Sequence, residues 1–356
     1  MSWGSINPVA LVVVVLTSAC TAGASGAAGV DESAARSVSA EVSAESSTDG
    51  SRPGSGPDVD PVVARTAEPG SEAATTATEP DSPIDASDGS SRRSRTEGVG
   101  TTGRPRLSPD GSPIFPGDFA DPFLVVADGV FTAYATNTLL ANVPTLQAGP
   151  DGGGYVGDSL PDLPAWTEPG RVWAPSVLRV GDGYVMYYTS REVASRRQCI
   201  GVATASGVTG PFVDSRTEPF ICDLAGGGSI DASPFVDLDG APWLLWKSDG
   251  NCCGLATRIN VQRLTADGTG LIGEPVQLIR DDLAWEDGVV EGPTMVAGGG
   301  GYHLFYSAGR WDTEDYSIGH AVCESVTGPC EKDGGPWLAS YGRATGPGGQ
   351  EVVAAP

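Results

Sequence analysis

The sequence predicts an all-β propeller, and three observations carry the prediction: a hairpin unit with clear turn punctuation, recurrence of that unit at blade-sized intervals, and abundant Gly and Pro. The unit is seen in Gly228–Gly250, GSIDASPFVDLDGAPWLLWKSDG. A polar rim carrying Asp231 leads to a strand expected to open at Pro234. A turn at Asp239-Gly240 follows, then an alternating strand through Trp243, Leu245 and Lys247.

Taken in order, the chain begins with an apolar run, Val9–Leu16, too short to span a bilayer, followed by small residues and Cys20. An export signal within residues 1–24 is expected, although no basic residue precedes the run. LTSAC has the form of a lipoprotein cleavage site that would leave Cys20 as a lipidated first residue, while Ala22-Gly23-Ala24 offers an ordinary A-x-A site. The expectation is an exported chain, a cell-surface lipoprotein rather than a freely secreted one, touching membrane only through Cys20. Residues 25–112 are dominated by Ser, Ala, Thr, Gly, Pro, Asp and Glu, almost without aromatics. Such a stretch cannot bury enough apolar surface to offset its ordering entropy and is expected to be a disordered spacer.

The folded body is expected over 113–356, where the unit repeats. DPFLV leads to DGVFTAYAT, APSVL to GDGYVMYYTS, SPFVD to DGAPWLLWKS, and GPTMV to GGGYHLFYSA. Prolines mark the repeats at 122, 175, 234 and 293, and aromatics after the turns fall at Phe131, Tyr184, Trp243 and Tyr302. Both series are spaced 53, 59 and 59 residues apart, so two independent sets of marks agree. Later strands of the unit show in Cys199–Phe212 and Ser317–Cys330, each ending on a Thr-Gly-Pro turn.

A propeller blade starts its innermost strand at the mouth of the central channel, so the residues just before the repeat prolines should converge. These are Asp121, Ala174, Asp231 and Glu291, three of them acids in apolar or small-residue surroundings. Carboxylates sharing one pocket can have their pKa values driven apart, as general acid and base work requires. The formal net charge of −24, with only Lys247 and Lys332 as lysines, excludes nucleic acid as an expected partner.

ADPF, WAPSV, SIDASPF, WKSDGN and VEGPTM together resemble glycoside hydrolase family 43, the five-bladed propeller arabinofuranosidases, arabinanases and β-xylosidases, over about Ile114–Val353. The resemblance implies a five-bladed β-propeller and an inverting hydrolase acting on arabinose- or xylose-containing carbohydrate. It implies Asp121 as general base, Glu291 as general acid and Asp231 as the residue that tunes and orients Glu291. Such a pair works with its carboxyls about 6.5–9.5 Å apart. The competing function is a carbohydrate-binding propeller lipoprotein without turnover, and a third is a structural propeller whose acids are coincidental.

Trp173 and Trp311 are candidate sugar platforms, with Arg310, Lys247 and Asn137 as candidate hydroxyl ligands. Trp166 is a further candidate platform, whereas Trp243 and Trp246 read as core. Of seven cysteines, six lie in the body: Cys199 with Cys222 and Cys323 with Cys330 are expected pairs, and Cys252-Cys253 is either a vicinal disulfide or two thiols. With only His303 and His320 and no CxxC, no metal–thiolate site is expected.

Two departures from the family stand out. Where many members carry an axial His near calcium or water, GPGGQEVV has Gly349 and Gln350, so no cofactor is expected, a structural calcium being the disfavoured alternative. The next second strand would begin where the chain stops, so four blades plus the first strand of a truncated fifth, Gly348–Ala354, are expected, in a monomer.

Overall fold

The computed structural model describes residues 11–14, 115, 118–149, 152–298, 300–342 and 344–354. Cys20, both cleavage sites and the spacer expected over 25–112 lie outside the described residues. Strand β1 (Leu11–Val14) comes from the apolar run of the expected export signal.

Four antiparallel meanders follow as propeller blades. Blade one holds β2 (Phe123–Ala127), β3 (Val130–Tyr134), β4 (Pro144–Gly149) and β5 (Gly152–Asp158). Blade two holds β6 (Trp173–Val180), β7 (Gly183–Arg191) and β8 (Gln198–Ala205), and the single bridges Thr204–Val213 and Ile200–Ile221 stand in place of a fourth strand. Blade three holds β9 (Ser229–Val236), β10 (Pro242–Ser248), β11 (Arg258–Leu264) and β12 (Leu271–Arg280). Blade four holds β13 (Val290–Gly298), β14 (Gly301–Ala308), β15 (Ser317–Cys323) and β16 (Cys330–Lys332). The last strand, β17 (Glu351–Ala354), pairs antiparallel with β1.

The turn chemistry explains the hairpins. Asp128 and Gly129 both have positive φ, 51° and 76°, the conformation that a two-residue loop needs to match the twist of its flanking strands. The strand expected to open at Pro234 instead starts at Ser229, with Pro234 inside it opposite Leu244. Proline is tolerated there because β9 is the edge strand of its sheet and has hydrogen-bonded neighbours on one side only.

Apolar seams between sheets hold the blades together. Tyr134 and Val143 pack with Val177, Met186 and Phe212 across blades one and two. Leu178, Val185 and Tyr187 meet Leu244 and Trp246 across blades two and three. Leu245, Ile259 and Val261 meet Met295, Leu304 and Tyr306 across blades three and four. Phe305 and Ile318 pack with Val352, which ties β17 to blade four. One device recurs in two blades: Tyr188 lies over Gly201 of the neighbouring strand and Tyr306 over Gly319, where any Cβ would collide with the ring. Each ring's hydroxyl then donates to a carboxylate, Asp214 at 2.7 Å and Glu286 at 2.9 Å.

All three cysteine pairs form disulfides: Cys199–Cys222, Cys252–Cys253 and Cys323–Cys330.

Candidate active site

The innermost strands β6, β9 and β13 each carry a bulge near their start, between Trp173 and Ser176, Ile230 and Ser233, and Glu291 and Thr294. A bulge re-aims the chain, and the bulged residue turns left-handed: φ is 40° at Ala174, 56° at Asp231 and 53° at Gly292. Asp121 ahead of β2 and Gly349 ahead of β17 have the same sign, 49° and 60°. Holding a non-glycine residue in this region costs of order 1–3 kcal/mol, a strain that characteristically sits at functional positions.

This register corrects one expectation. Asp121 and Asp231 occupy equivalent places, but Glu291 stands one residue earlier, opposite Ser307, as Trp173 stands opposite Thr189 and Ile230 opposite Lys247. Pro234 misleads because it lies three residues beyond its bulge residue, whereas Pro122, Pro175 and Pro293 follow theirs directly.

Residues on or just beyond the second strands supply the supports. Thr136 donates to Asp121 Oδ2 at 2.6 Å and accepts from the Ala174 N–H of the next blade at 3.0 Å. Thr189 accepts from the Asp231 N–H at 3.2 Å, and Ser307 from the Gly349 N–H at 2.9 Å. In blade three the corresponding residue is Lys247, which has no acceptor to offer, and Asp231 Oδ2 takes the Gly292 N–H instead at 2.9 Å. Each blade thus fixes the bulge of its successor.

These elements converge on a cavity of about 640 Å³ whose lining includes Asp121, Asp231, Asp249, Glu291, Lys247 and Tyr316. Lys247 is 1% exposed, with Nζ 2.7 Å from Glu291 Oε2 and 3.6 Å from Asp249 Oδ1. Burial alone would pull this ammonium down, yet Glu291, Asp231 and Asp249 more than offset it, and its pKa ends above the usual lysine value. The other oxygen of Glu291 accepts from the Tyr316 hydroxyl at 2.7 Å, and burial followed by the Glu291 charge holds that phenol well above its ordinary range. Burial, then Glu291, pushes the Asp231 carboxyl up to about 7 against the pull of Lys247. Asp121, whose side chain opens onto the cavity, is raised first by desolvation among the blades and also by the Glu291 charge, while the Thr136 hydrogen bond acts downward.

Other expected ligands divide. Trp173 lines the cavity. Trp311, 67% exposed, borders both the cavity and a side pocket of about 200 Å³ that also touches Glu291 and Arg310. Arg310 is clamped to Asp312 through two hydrogen bonds of 3.1 and 2.8 Å. Lys247, expected as a substrate ligand, has its ammonium committed to the acids. Asn137 does not line the cavity; its amide donates to Thr138 O at 3.5 Å, and its neighbour Thr136, in the loop after β3, takes the inward place. Trp166 is core, 6% exposed and stacked on Tyr188. Tyr316, Asp249 and Thr136 escaped sequence reading: Asp249 lies in the quoted WKSDGN, but nothing in a lone hydroxyl marks it as a support.

The axial place where a metal-associated His would stand holds Gln350, 3% exposed. Its Oε1 accepts from Ser307 at 2.9 Å and its Nε2 donates to Gly292 O at 2.6 Å. With both ends of the amide engaged inside the protein, these residues do not fit an axial metal.

Comparison with known proteins gives a consistent picture. A sequence profile described as glycosyl hydrolases family 43 matches residues 111–356. The β-D-galactofuranosidase of Aspergillus niger is 28% identical over 62% of this chain and 65% of its own length. A probable arabinan endo-1,5-α-L-arabinosidase A of Aspergillus flavus is 30% identical over 66% of this chain and 78% of its own. Among solved structures, a thermostable family-43 glycoside hydrolase superposes with a TM-score of 0.57 at 28% identity, covering 63% of this chain and 74% of that one.

Proposed function

Because this chain belongs to glycosyl hydrolases family 43, we propose that it hydrolyses glycosidic bonds of arabinose- or xylose-containing carbohydrate by single displacement with inversion. The observation that supports this most is the gathering of Asp121, Asp231 and Glu291 around one cavity with a single buried cation, Lys247. Asp121 accepts a proton from water as that water attacks the anomeric carbon. Glu291 delivers a proton to the departing oxygen. Three carboxyls, Asp231, Asp249 and Glu291, act on the one ammonium of Lys247, and burial with the Glu291 charge raises Asp231 to about 7, so Asp231 still holds its proton in mildly acidic solution. Lys247 and Tyr316 fix the Glu291 carboxyl in place. Trp173 gives a sugar an apolar face to lie against.

The galactofuranosidase and arabinan relatives favour a furanose sugar, arabinofuranose foremost. We take β17 as the innermost strand of a fifth blade, since Gly349 has the left-handed bulge conformation and donates its N–H to Ser307 of blade four, as the bulge residues of blades two and three donate to the blade before them. Three disulfides suit an oxidising compartment and support export. A monomeric, surface-anchored hydrolase completes the proposal.

The test is twofold. Proton NMR of the first product from an aryl arabinofuranoside or xyloside should show the inverted anomer; a retained anomer overturns the mechanism. Glu291→Gln should lose about 100-fold or more on alkyl leaving groups and far less on activated phenols, whereas Asp121→Asn should impair both alike. Equal losses in Glu291→Gln would remove Glu291 as the acid.

A further inference from the structure

The Cys252–Cys253 disulfide stands apart from the other two. Cys199–Cys222 and Cys323–Cys330 close loops with sequence separations of 23 and 7 and can stabilise by restricting the unfolded chain, but Cys252–Cys253 joins adjacent residues and closes no loop. Cys252 is exposed, so the pair is not core filling. Loop entropy and packing therefore leave it unexplained, and its location supplies a reason.

The pair ends a short 3-10 turn, Gly250–Cys253, that follows β10 directly after Asp249. The turn is pinned: the Leu255 N–H donates to Gly250 O at 2.9 Å, and Gly250 lies so close to the Ala256 backbone that no Cβ would fit. From it Cys252 faces the main cavity, and Asn251 borders both that cavity and the side pocket against Glu291. Across from the turn, Arg197 Nη1 donates to Cys253 Sγ at 2.7 Å and lies 3.4 Å from Cys252 Sγ. Arg197 is itself exposed, which leaves its remaining N–H groups free to meet a ligand hydroxyl.

We infer that the Cys252–Cys253 disulfide, flanked by Asn251 and Arg197, is a sugar-binding wall for the ring on the leaving-group side of the scissile bond. The inference rests on the hydrolase reading above, which makes Glu291 the acid and so puts the departing oxygen beside it. Linking neighbouring side chains into a small ring removes their rotamer freedom and presents a fixed, polarisable apolar surface. A sugar ring offers C–H groups on its faces and hydroxyls on its rim. The sulfurs meet the first kind of surface and the amide and guanidinium the second.

The experiment compares glycosyl fluorides, whose leaving group is a single atom, with oligosaccharides, whose leaving group is a second ring. The full chain is assayed on α-L-arabinofuranosyl and β-D-xylopyranosyl fluoride and on α-1,5-arabinotriose and β-1,4-xylotriose. In the double variant Cys252→Ala/Cys253→Ala, kcat/KM for the triose that wild type cleaves should fall about 10-fold more than for the matching fluoride, chiefly through KM. Arg197→Ala should shift the same ratio in the same direction by about 3-fold, and it decides the matter if the double variant does not fold. An equal fall on both substrate types, or none on the triose, overturns the inference. Wild type that turns over a fluoride and leaves both trioses intact also overturns it while sparing the hydrolase reading. A chain inert toward all four overturns that reading and the inference with it.

Discussion

Asp231→Asn should make the protein more stable at pH 8 while lowering its activity. The wild-type carboxyl is raised to about 7, by burial first and Glu291 second. A carboxyl with a raised folded-state pKa contributes stability that is fully present below the unfolded value, about 4, and is lost as pH climbs through the folded value. Over that window the native state holds a proton that the unfolded chain has released, so stability falls as pH rises. A rise from about 4 to about 7 at 1.36 kcal/mol per pH unit sets a ceiling of roughly 4 kcal/mol. Asn is nearly the same size, does not titrate, and its side-chain oxygen can still accept the Gly292 N–H bond that Asp231 takes at 2.9 Å. The stability difference between Asp231→Asn and wild type should therefore grow by up to about 4 kcal/mol between pH 4 and pH 8. Urea unfolding at a series of pH values, followed by tryptophan fluorescence, measures it. Activity should drop at every pH, because the variant lacks the Asp231 carboxyl whose charge acts on Glu291 and Lys247. A pH-independent difference, or a variant that weakens further at pH 8, would refute the reasoning.

Thr136→Val removes the 2.6 Å hydrogen bond that holds the Asp121 pKa down, so the acidic limb of kcat/KM should move to higher pH, with some loss of activity even on the plateau. An unmoved limb would separate Asp121 from the titration that limits the rate. Gly319→Ala would drive a methyl group into the Tyr306 ring and should cost about 1–3 kcal/mol in thermal or urea unfolding, whereas Gly335→Ala, where open space surrounds the position, should cost well under that.

Much of this molecule could be read from the chain because its turns are chemically explicit. Asp128-Gly129 forms the turn that its residue types specify, and the prolines kept the repeat in register to within two residues. Those two residues mattered, since Pro234 hid the fact that Glu291 does not share the structural position of Asp121 and Asp231. Thr136 and Asn137 lie in the loop just beyond β3, where no strand pattern marks which neighbour turns inward, so reading Asn137 rather than Thr136 missed by one place. Lys247 was found for the wrong purpose. A lysine in WKSDG suggests a solvated cation, and only the third dimension reveals three acids around it. Tyr316 reaches Glu291 from a loop that carries no repeat mark.

The hydrogen bond handed from each blade to the bulge of the next has a consequence for how this protein can fail. Asp231 belongs to blade three but hangs its N–H on Thr189 of blade two, and Asp121, in blade one, accepts from the same Thr136 that fixes the start of blade two. Asp231 and Glu291 are thus held from the neighbouring blade, Glu291 through Lys247 of blade three. A seam that loosens by a fraction of an ångström therefore disturbs the chemistry while every sheet remains intact, and turnover should vanish on heating before the β-sheet circular dichroism signal changes. The same interdependence means that a blade exchanged with a relative must travel with the second strand of the blade before it, so the transferable unit runs from one second strand to the next and straddles the boundary between sheets.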